Sequence, residues 1–295
     1  MARTAGVVME QAQSTADRRL RPLLEGGRYF EAPRWHDHRL WLVDARARTL
    51  ISVTPEGTPE IVCTTEGVPA GLGFLQNGDA VVTDMHARSL VRCAGGQAIH
   101  HADLSKLTGT LDDMIVDAAG RAYVGDIGFD LKSGIKSGPY GRLILVEAGR
   151  EPRIVADGLN FPNGIAVSAD GRRLVVAETN GDCLASFHVR GDGSLELDRR
   201  FGNFRTPDGI CLDRERAVWV SLLDESSFVR VAPDGRILDR IAVPGRRAVA
   251  CVLGGEDRKT LFCVSMEPDQ KTPAGSKALS YVDAAVVEVP GAGYP

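Results

Sequence analysis

The chain has 295 residues, of which 43% are hydrophobic, 25% charged and 6% aromatic, a composition typical of a globular protein with one large domain or two. Its formal net charge of −4 and its pI near 5.9 disfavour a nucleic-acid partner or an anionic membrane surface. No apolar run approaches the roughly 18 residues that a membrane span needs.

The first residues, MARTAGVVMEQAQSTADRRL, contain no basic region followed by an apolar core, so a signal peptide is not expected. We interpret residues 1–18 as a flexible N-terminal segment and residues 19–295 as a single domain. The chain has six cysteines and no CxxC pair. Four of them lie in apolar, strand-like runs: Cys63, Cys211, Cys251 and Cys263. We expect buried, reduced thiols there, and together these features predict a cytoplasmic protein.

Six segments follow one pattern, namely a short apolar run, a polar turn and a second short strand. In chain order they are EAPRWHDHRLWLVD from Glu31, GLGFLQNGDAVVTD from Gly71, DDMIVDAAGRAYVGD from Asp112, NGIAVSADGRRLVVAE from Asn163, DGICLDRERAVWVS from Asp208 and VACVLGGEDRKTLFCVS from Val249. The second strands are expected to begin near residues 40, 80, 122, 174, 218 and 261. Turns such as Asn77-Gly78 are typical of β-hairpins.

Further strand candidates separate these segments, for example RTLISVTPEGTPEIV and SFVRVAPDGRILDRI, so each repeat holds about four short strands. Six such repeats without a long amphipathic helix are typical of a propeller. We therefore predict an all-β, six-bladed β-propeller with four-stranded blades. Its closing blade should combine AAVVEVP (284–290) with a strand from before Glu31, because an open blade would leave an unpaired edge.

The third repeat contains extra length, DIGFDLKSGIKSGPY, whose Gly and Ser content predicts a loop on one face of the ring. In this loop, Phe129 and Tyr140 are expected to cover a pocket. Asp126, where the loop begins, is a candidate substrate contact. His86 follows another second strand, in TDMHARS, and is a further candidate.

The repeats can be aligned on the apolar residue before each turn, from Trp35 in the first repeat to Leu253 in the last. Four positions earlier stand Glu31, Gly71, Asp112, Asn163, Asp208 and Val249. Equivalent positions on the innermost strands of a propeller surround its axis, so the oxygen-bearing side chains of this set should converge at one end of the channel. The set predicts a metal site in the central channel.

The predicted metal ligands are Glu31, Asp112, Asn163 and Asp208. Three carboxylates brought together repel one another, and a cation removes that conflict. Oxygen donors without His or Cys favour a hard divalent ion, Ca²⁺ before Mg²⁺. Any one of these residues alone is more typical of a side chain that hydrogen-bonds a turn, as in PNG and PDG. Their repetition at one aligned position favours the metal.

The same residues give the chain a resemblance to a known family. EAPRW, FPNGIAVSADGRRLVVAE and TPDGICLD are similar to motifs in the first, fourth and fifth blades of the regucalcin (senescence marker protein)/gluconolactonase family. The similarity covers roughly residues 29–290. Members are six-bladed propellers with a divalent cation, commonly Ca²⁺, and many hydrolyse lactones. The resemblance implies that Glu31, Asn163 and Asp208 bind the metal and that Asp208 is the general base.

Two departures from the family pattern concern the substrate. Asp112-Asp113 stands where the family usually has Asn-Asp, so the site holds three acids. A 2+ ion leaves one negative charge, and Asp112 is therefore a candidate base as well as a ligand. Thr110 stands where the family often has a substrate-binding arginine. This difference favours a less polar lactone or ester over a sugar lactone.

The sequence thus predicts a metal-dependent hydrolase of a small-molecule lactone or ester. The cation would act as a Lewis acid on the carbonyl, while Asp208 or Asp112 takes a proton from water. The chain has no GxSxG, HExxH, P-loop or GxGxxG motif. Two other interpretations remain open: an organophosphate-hydrolysing or strictosidine-synthase-like propeller, and a metal-stabilised binding module without catalysis. No oligomeric state is predicted.

Overall fold

A computed structural model describes residues 20–134, 136, 138–268 and 279–294; the predicted N-terminal segment 1–18 lies outside them. The strands are β1 (Arg21–Gly27), β2 (Phe30–His36), β3 (Arg39–Asp44), β4 (Thr49–Val53), β5 (Pro59–Thr64), β6 (Pro69–Phe74), β7 (Ala80–Asp84), β8 (Ser89–Ala94), β9 (Gln97–Asp103), β10 (Leu111–Val116), β11 (Ala122–Asp126), β12 (Gly141–Val146), β13 (Arg153–Leu159), β14 (Pro162–Val167), β15 (Arg173–Glu178), β16 (Cys183–Val189), β17 (Leu195–Phe201), β18 (Pro207–Leu212), β19 (Val218–Leu222), β20 (Ser227–Val231), β21 (Ile237–Ala242), β22 (Arg247–Gly254), β23 (Thr260–Met266) and β24 (Ser280–Val286). Short 3₁₀ turns lie at Leu131–Ser133, Thr179–Gly181 and Leu223–Glu225. Among the described residues, no helix has the length and apolarity that crossing a membrane requires.

These strands form six antiparallel sheets of four strands each. Five blades consist of consecutive strands: β2–β5, β6–β9, β10–β13, β14–β17 and β18–β21. The sixth has the order β22-β23-β24-β1, so the N-terminal strand pairs with the C-terminal one. The innermost strands β2, β6, β10, β14, β18 and β22 contact one another in a closed cycle. The predicted six-bladed propeller is therefore confirmed.

The predicted strand positions agree closely with the structure. The second strands of the blades begin at residues 39, 80, 122, 173, 218 and 260. The closing strand differs, because β24 spans Ser280–Val286 and the segment predicted at 284–290 joins the sheet only in part. The chain leaves the blade there because Gly291 pairs with Asp213 of the fifth blade.

Hydrophobic clusters hold the blades together, and each of the six lies between two neighbouring blades. Trp219 and Phe228 dominate the cluster between the fifth and sixth blades, and both are fully buried. Burial of a large apolar side chain contributes about 1.5–3 kcal/mol. The four cysteines expected to be buried are buried and free, and they lie in these clusters. The ring is thus closed by apolar packing as well as by the β1–β24 pairing.

The chain direction gives the channel two distinct ends. We call the end at which every innermost strand begins the upper end, and the opposite one the lower end. Because the second strand of each blade returns upward, the loop between β11 and β12, which contains Phe129 and Tyr140, lies at the upper end. Residues 290–294 cross the lower end, where Ala292 N donates to Leu212 O (3.0 Å) and the Tyr294 hydroxyl donates to Val116 O.

Candidate metal centre and active site

Each innermost strand contains a β-bulge near its upper end. In β10, pairing with the second strand shifts between Leu111 and Met114, and in β18 it shifts between Pro207 and Ile210. The same interruption occurs in β2, β6, β14 and β22. Bulges re-aim side chains and are common beside active sites. The repeated bulge therefore presents equivalent residues at the upper end of the channel.

The bulge positions hold the polar residues that the repeat alignment singled out. Asp112, Asn163 and Asp208 each lie in the bulge of their strand, and Glu31 begins the equivalent irregular stretch of β2. All four side chains line one cavity at the axis. The convergence expected from the repeats is therefore present in the fold.

The alignment was wrong by one residue in the second blade. There Phe74, rather than Leu75, pairs with the first residue of the second strand, because Leu75 already belongs to the turn. The equivalent bulge residue is consequently Ala70, which lines the cavity, and not Gly71. A Cβ at Gly71 would lie 2.5 Å from the Met114 nitrogen, so the close approach of two innermost strands requires glycine there.

The carboxylates in this cavity oppose one another's ionisation. Burial first, and then the charges of Asp112 and Asp208, raise the pKa of Glu31. Burial and then the charge of Asp208 raise the pKa of Asp112. Asp112 and Asp208 are 8% and 6% exposed, so water screens them poorly. The described residues therefore do not provide the positive charge that would keep all three acids ionised.

Asp208 lies in the most mixed environment of the three acids. Burial raises its pKa to about 8, although the positive charge of Arg247 and hydrogen bonds from Asn163 and from the Gly209 backbone oppose this shift. Asn163 is thus both a neighbour of Asp208 and a further oxygen donor on the adjacent blade. An acid whose pKa lies near neutral pH is suited to proton transfer.

A fourth acid at this end, Asp113, has a partner in the chain. Arg34 Nη2 donates to Asp113 Oδ1 at 2.7 Å, and both side chains are almost completely buried. Arg34 also donates to the Leu72 and Met114 carbonyls, while the Ile165 nitrogen donates to Asp113 Oδ2 at 3.2 Å. The pair therefore links four neighbouring blades across the channel. It leaves Glu31, Asp112 and Asp208 as the acids without such a partner.

The donor set of the cavity fits a hard divalent cation. Glu31, Asp112, Asn163 and Asp208 offer only oxygen, which suits Ca²⁺ or Mg²⁺. Burial first, and then neighbouring carboxylates, raise the pKa values of these acids, and a bound cation would favour their ionised forms. Within the described residues, no three His, Cys, Asp or Glu side chains are already arranged as a metal-binding cluster. The fit to a divalent cation therefore rests on the chemistry of the donors and not on a preformed coordination geometry.

Asp126, a predicted substrate contact, accepts hydrogen bonds from the backbone of its own blade. Its Oδ1 accepts hydrogen bonds from the nitrogens of Gly109, Thr110 and Gly128 at 2.9, 3.3 and 3.0 Å. Glu178 holds the same place at the end of β15 and accepts from the Asn160 nitrogen. An acid at the end of the second strand thus fixes the segment leading into the innermost strand. A contact of Asp126 with substrate stays a prediction.

The remaining predicted substrate contacts lie in loops at the upper end. Phe129 is buried, and its ring packs edge-to-face on Phe161 at 6.2 Å. Tyr140 is 51% exposed, and His86 lies exposed after β7. None of the three lines the cavity around Asp208. Phe129 and Tyr140 lie in one loop, and their role in covering a pocket stays a prediction.

Three residues near the acids had no role in the sequence-based prediction. Arg34 is a charged residue inside an apolar strand, as Asp208 is, and such a residue needs a buried partner. Tyr29 has its pKa raised by the charge of Glu31 and then by burial, and a hydrogen bond to Glu31 adds to the shift. Arg247 begins β22, and its positive charge opposes the raised pKa of Asp208.

Comparisons with known proteins show which proteins this chain is similar to. The chain is 25% identical to pentonolactonase XacC of Haloferax volcanii over 265 residues, which is 88% of each chain. It is 30% identical over 162 residues to a 6-deoxy-6-sulfogluconolactonase of Pseudomonas putida, covering 52% of this chain and 56% of the relative. The crystal structure of a calcium-binding regucalcin from Agrobacterium tumefaciens superposes with a TM-score of 0.72 at 18% identity, covering 92% of this chain and 94% of that one.

The chain also matches the model of a whole protein family. Residues 30–267 match the family described as SMP-30/Gluconolactonase/LRE-like region. The matched stretch runs from the start of β2 to the end of β23 and includes all four predicted metal ligands. The resemblance inferred from the blade motifs is therefore confirmed, and the chain belongs to the SMP-30/gluconolactonase/LRE-like family.

Proposed function

We propose that this protein is a metal-dependent hydrolase that opens a lactone or a related ester. The observation that carries the proposal is the convergence of Glu31, Asp112, Asn163 and Asp208 on one cavity at the upper end of the channel. Membership of the family and the lactonase names of two relatives support the reaction type. The calcium-binding neighbour supports Ca²⁺ as the ion.

In this proposal Glu31, Asp112, Asn163 and Asp208 hold one divalent ion, most suitably Ca²⁺. When bound, the ion supplies Lewis-acid chemistry and stabilises negative charge on a substrate oxygen. The chain itself contributes rigid strands that hold the donors in place. Arg34 pairs with Asp113 and holds this buried acid in place beside the donors.

Asp208 is the proposed general base. It takes a proton from the water molecule that adds to the carbonyl carbon, and the ring C–O bond then breaks. The leaving oxygen takes up a proton, so the product is the open hydroxy acid. Asp112 is the alternative base, because it shares the cavity and the same electrostatic environment. Phe129 and Tyr140 are proposed to cover a bound substrate from the upper face.

A substrate panel assayed with and without a chelator tests the proposal. Purified protein is treated with EDTA, and lactones, linear esters and phosphotriesters are then assayed before and after Ca²⁺ is restored. We expect lactone hydrolysis that disappears with EDTA and returns with Ca²⁺, together with about one ion per chain by elemental analysis. Turnover of phosphotriesters alone would favour the organophosphate interpretation. Metal-dependent stabilisation without any turnover would favour a binding module.

A further inference from the structure

The residues that lie two positions before the bulge residues surround the upper end of the channel. They are Tyr29, Val68, Thr110, Phe161, Thr206 and Arg247. Each of them precedes or begins an innermost strand, so they lie one step above the acids; we call this set the mouth ring. Arg247 is the charged member of the six. A substrate that reaches Asp208 from the upper end must pass this ring.

Arg247 lies between the strands that present two of the acids. It begins β22, which contacts both β18, the strand of Asp208, and β2, the strand of Glu31. The bulge residue of β22 is the apolar Val249, which lines the same cavity. The sixth blade therefore contributes no side-chain oxygen at the axis from its described residues. It contributes instead a positive charge at the mouth.

The guanidinium of Arg247 is held loosely enough to bind a ligand. Its Nη2 lies 2.8 Å from Asp224 Oδ1, and the two side chains are 33% and 40% exposed. Exposed ion pairs of this kind are weak. In the described part of the chain, the other N–H groups of Arg247 donate no hydrogen bond, and an arginine has five such donors. The pair with Asp224 orients the side chain without using up its donors.

The neighbouring Arg246 provides a natural contrast. Its guanidinium lies 2.7 Å from the carboxylate of Asp283 and stacks over the ring of Tyr281 at 4.9 Å. Both partners belong to β24, on the side of the blade away from the channel. Arg246 is therefore part of the framework, although it is adjacent in sequence. The two arginines can be compared in one experiment.

We propose that Arg247 binds an anionic group of the substrate, such as a carboxylate carried by the lactone. Guanidinium groups recognise carboxylates by paired, charge-assisted hydrogen bonds. A cation at the mouth also attracts an anionic substrate towards a cavity that is otherwise lined with acids. This inference rests on the proposed function. It replaces the expectation, based on Thr110, that the substrate is less polar.

Two lactones that differ only in charge test this inference, one with a carboxylate substituent and the other with its uncharged primary alcohol. We expect Arg247→Gln to raise KM for the anionic lactone about ten- to a hundredfold, the range for loss of a hydrogen bond to a charged group. KM for the neutral lactone should change by less than about twofold, whereas kcat should change equally for both lactones, because the charge of Arg247 also acts on the pKa of Asp208. Arg247→Lys should restore part of the preference. The matched control Arg246→Gln should leave both lactones unchanged.

A second variant separates binding from a structural role of the ion pair. Asp224→Asn also breaks the pair, but it frees the guanidinium, so it should bind the anionic lactone at least as tightly as the native protein. If Arg247→Gln and Asp224→Asn weakened both lactones alike, the pair would be structural and the inference would be overturned. The same conclusion follows if the native protein shows no preference for the anionic lactone.

A binding measurement keeps this test independent of catalysis. Tetrahydrofuran-2-carboxylate and tetrahydrofuran-2-methanol cannot be hydrolysed, and their affinities can be measured by calorimetry. If no lactone is hydrolysed, the proposed function fails. Preferential binding of the carboxylate, lost in Arg247→Gln, would still support the inference. Equal binding of the two ethers to the native protein would refute it whatever the outcome of the assays.

Discussion

The two ends of the central channel are built from the same six strands and differ in how their polar groups are satisfied. At the lower end the C-terminal tail supplies the partners, since Ala292 and Tyr294 donate to the carbonyls of Leu212 and Val116. The surrounding side chains there are largely apolar, for example Ile165 and Val252. The chain completes this end by itself.

At the upper end the polar groups are carboxylates, and the described residues provide too little positive charge for them. Arg34 is used by Asp113, and Arg247 lies at the mouth with a partner of its own. Burial raises the pKa values of Glu31, Asp112 and Asp208, and neighbouring carboxylates add to the shifts. A buried charge without compensation is costly, so such an arrangement persists where it has a use. The lower end is therefore part of the structural framework, and the upper end is the candidate site of chemistry.

The largest difference between the ends should appear in turnover. Asp208→Asn keeps an oxygen for the metal but cannot accept a proton, so kcat should fall about 10²- to 10⁴-fold while elemental analysis still finds the ion. Asp208→Ala should lose metal as well as activity. Tyr294→Phe, at the lower end, is the control and should leave kcat unchanged. An unchanged rate in Asp208→Asn would mean that this side chain only shapes its strand.

The buried pair of Arg34 and Asp113 lies between the two ends of the channel. Loss of this pair should mainly lower the stability of the protein. Arg34→Met leaves Asp113 buried without its partner, which typically costs about 3–5 kcal/mol. Urea denaturation should therefore give a lower midpoint, and the double variant with Asp113→Asn should recover part of the loss. Arg236→Met is the matched control.

The control is informative because the Arg236–Asp234 pair has an N–O distance of 2.8 Å, close to the 2.7 Å of the buried pair. The Arg236 pair, however, lies in solvent, with its two side chains 73% and 55% exposed. Exposed pairs contribute about 0–1 kcal/mol. Equal destabilisation by Arg34→Met and Arg236→Met would contradict the assignment of the buried pair as a cross-channel link.

The acidic end also predicts how the metal-free protein responds to pH. The pKa of Asp208 is raised from its ordinary value of 3.8 to about 8, so between these values the folded protein keeps a proton that the unfolded chain has lost. The folded state then binds more protons, and its stability falls as pH rises. Glu31 and Asp112 act in the same direction, while Arg247 and Asn163 oppose the shift at Asp208.

Melting temperatures measured in EDTA from pH 4 to pH 8 test this dependence. We expect Tm to fall over the range, and we expect the fall to be smaller in Asp208→Asn, which lacks the titrating group. Excess Ca²⁺ should flatten the native profile, because binding to the folded state alone raises stability. Identical profiles for the native protein and Asp208→Asn in EDTA would show that Asp208 does not titrate in this window.

The fold was predictable because each blade repeats one pattern. Starts of the second strands were placed within one residue, since a turn and a five-residue strand recur in every blade. The ring of acids was predictable for the same reason, because equivalent positions on repeated strands must face one axis. Two details were not predictable. Ala70 rather than Gly71 faces the cavity, and β24 ends at Val286, because a bulge and a departing tail leave no periodic signal.

Most of the site residues that could not be predicted from the sequence make contacts between different blades. Arg34 and Asp113 are 79 residues apart, and no local pattern relates them. Tyr29 and Arg247 lie where loops enter the innermost strands, and loop sequences do not indicate which of two adjacent arginines faces the axis. The structural role of Asp126 was accessible in principle. Asp44, Asp84 and Glu178 end the equivalent strands, so the acid recurs as a framework feature.

The smallest expected effect belongs to the lower end. Tyr294→Phe removes the hydrogen bond to the Val116 carbonyl but keeps the ring, which packs beside the cluster between the third and fourth blades. Loss of one such bond costs about 0.5–1.5 kcal/mol, so the urea midpoint should fall slightly while metal content and kcat stay the same. Tyr294→Ala should cost more, because packing is lost as well. Reduced metal content in Tyr294→Phe would show that the tail influences the acids through the channel, and the two ends would then have to be treated as one coupled site.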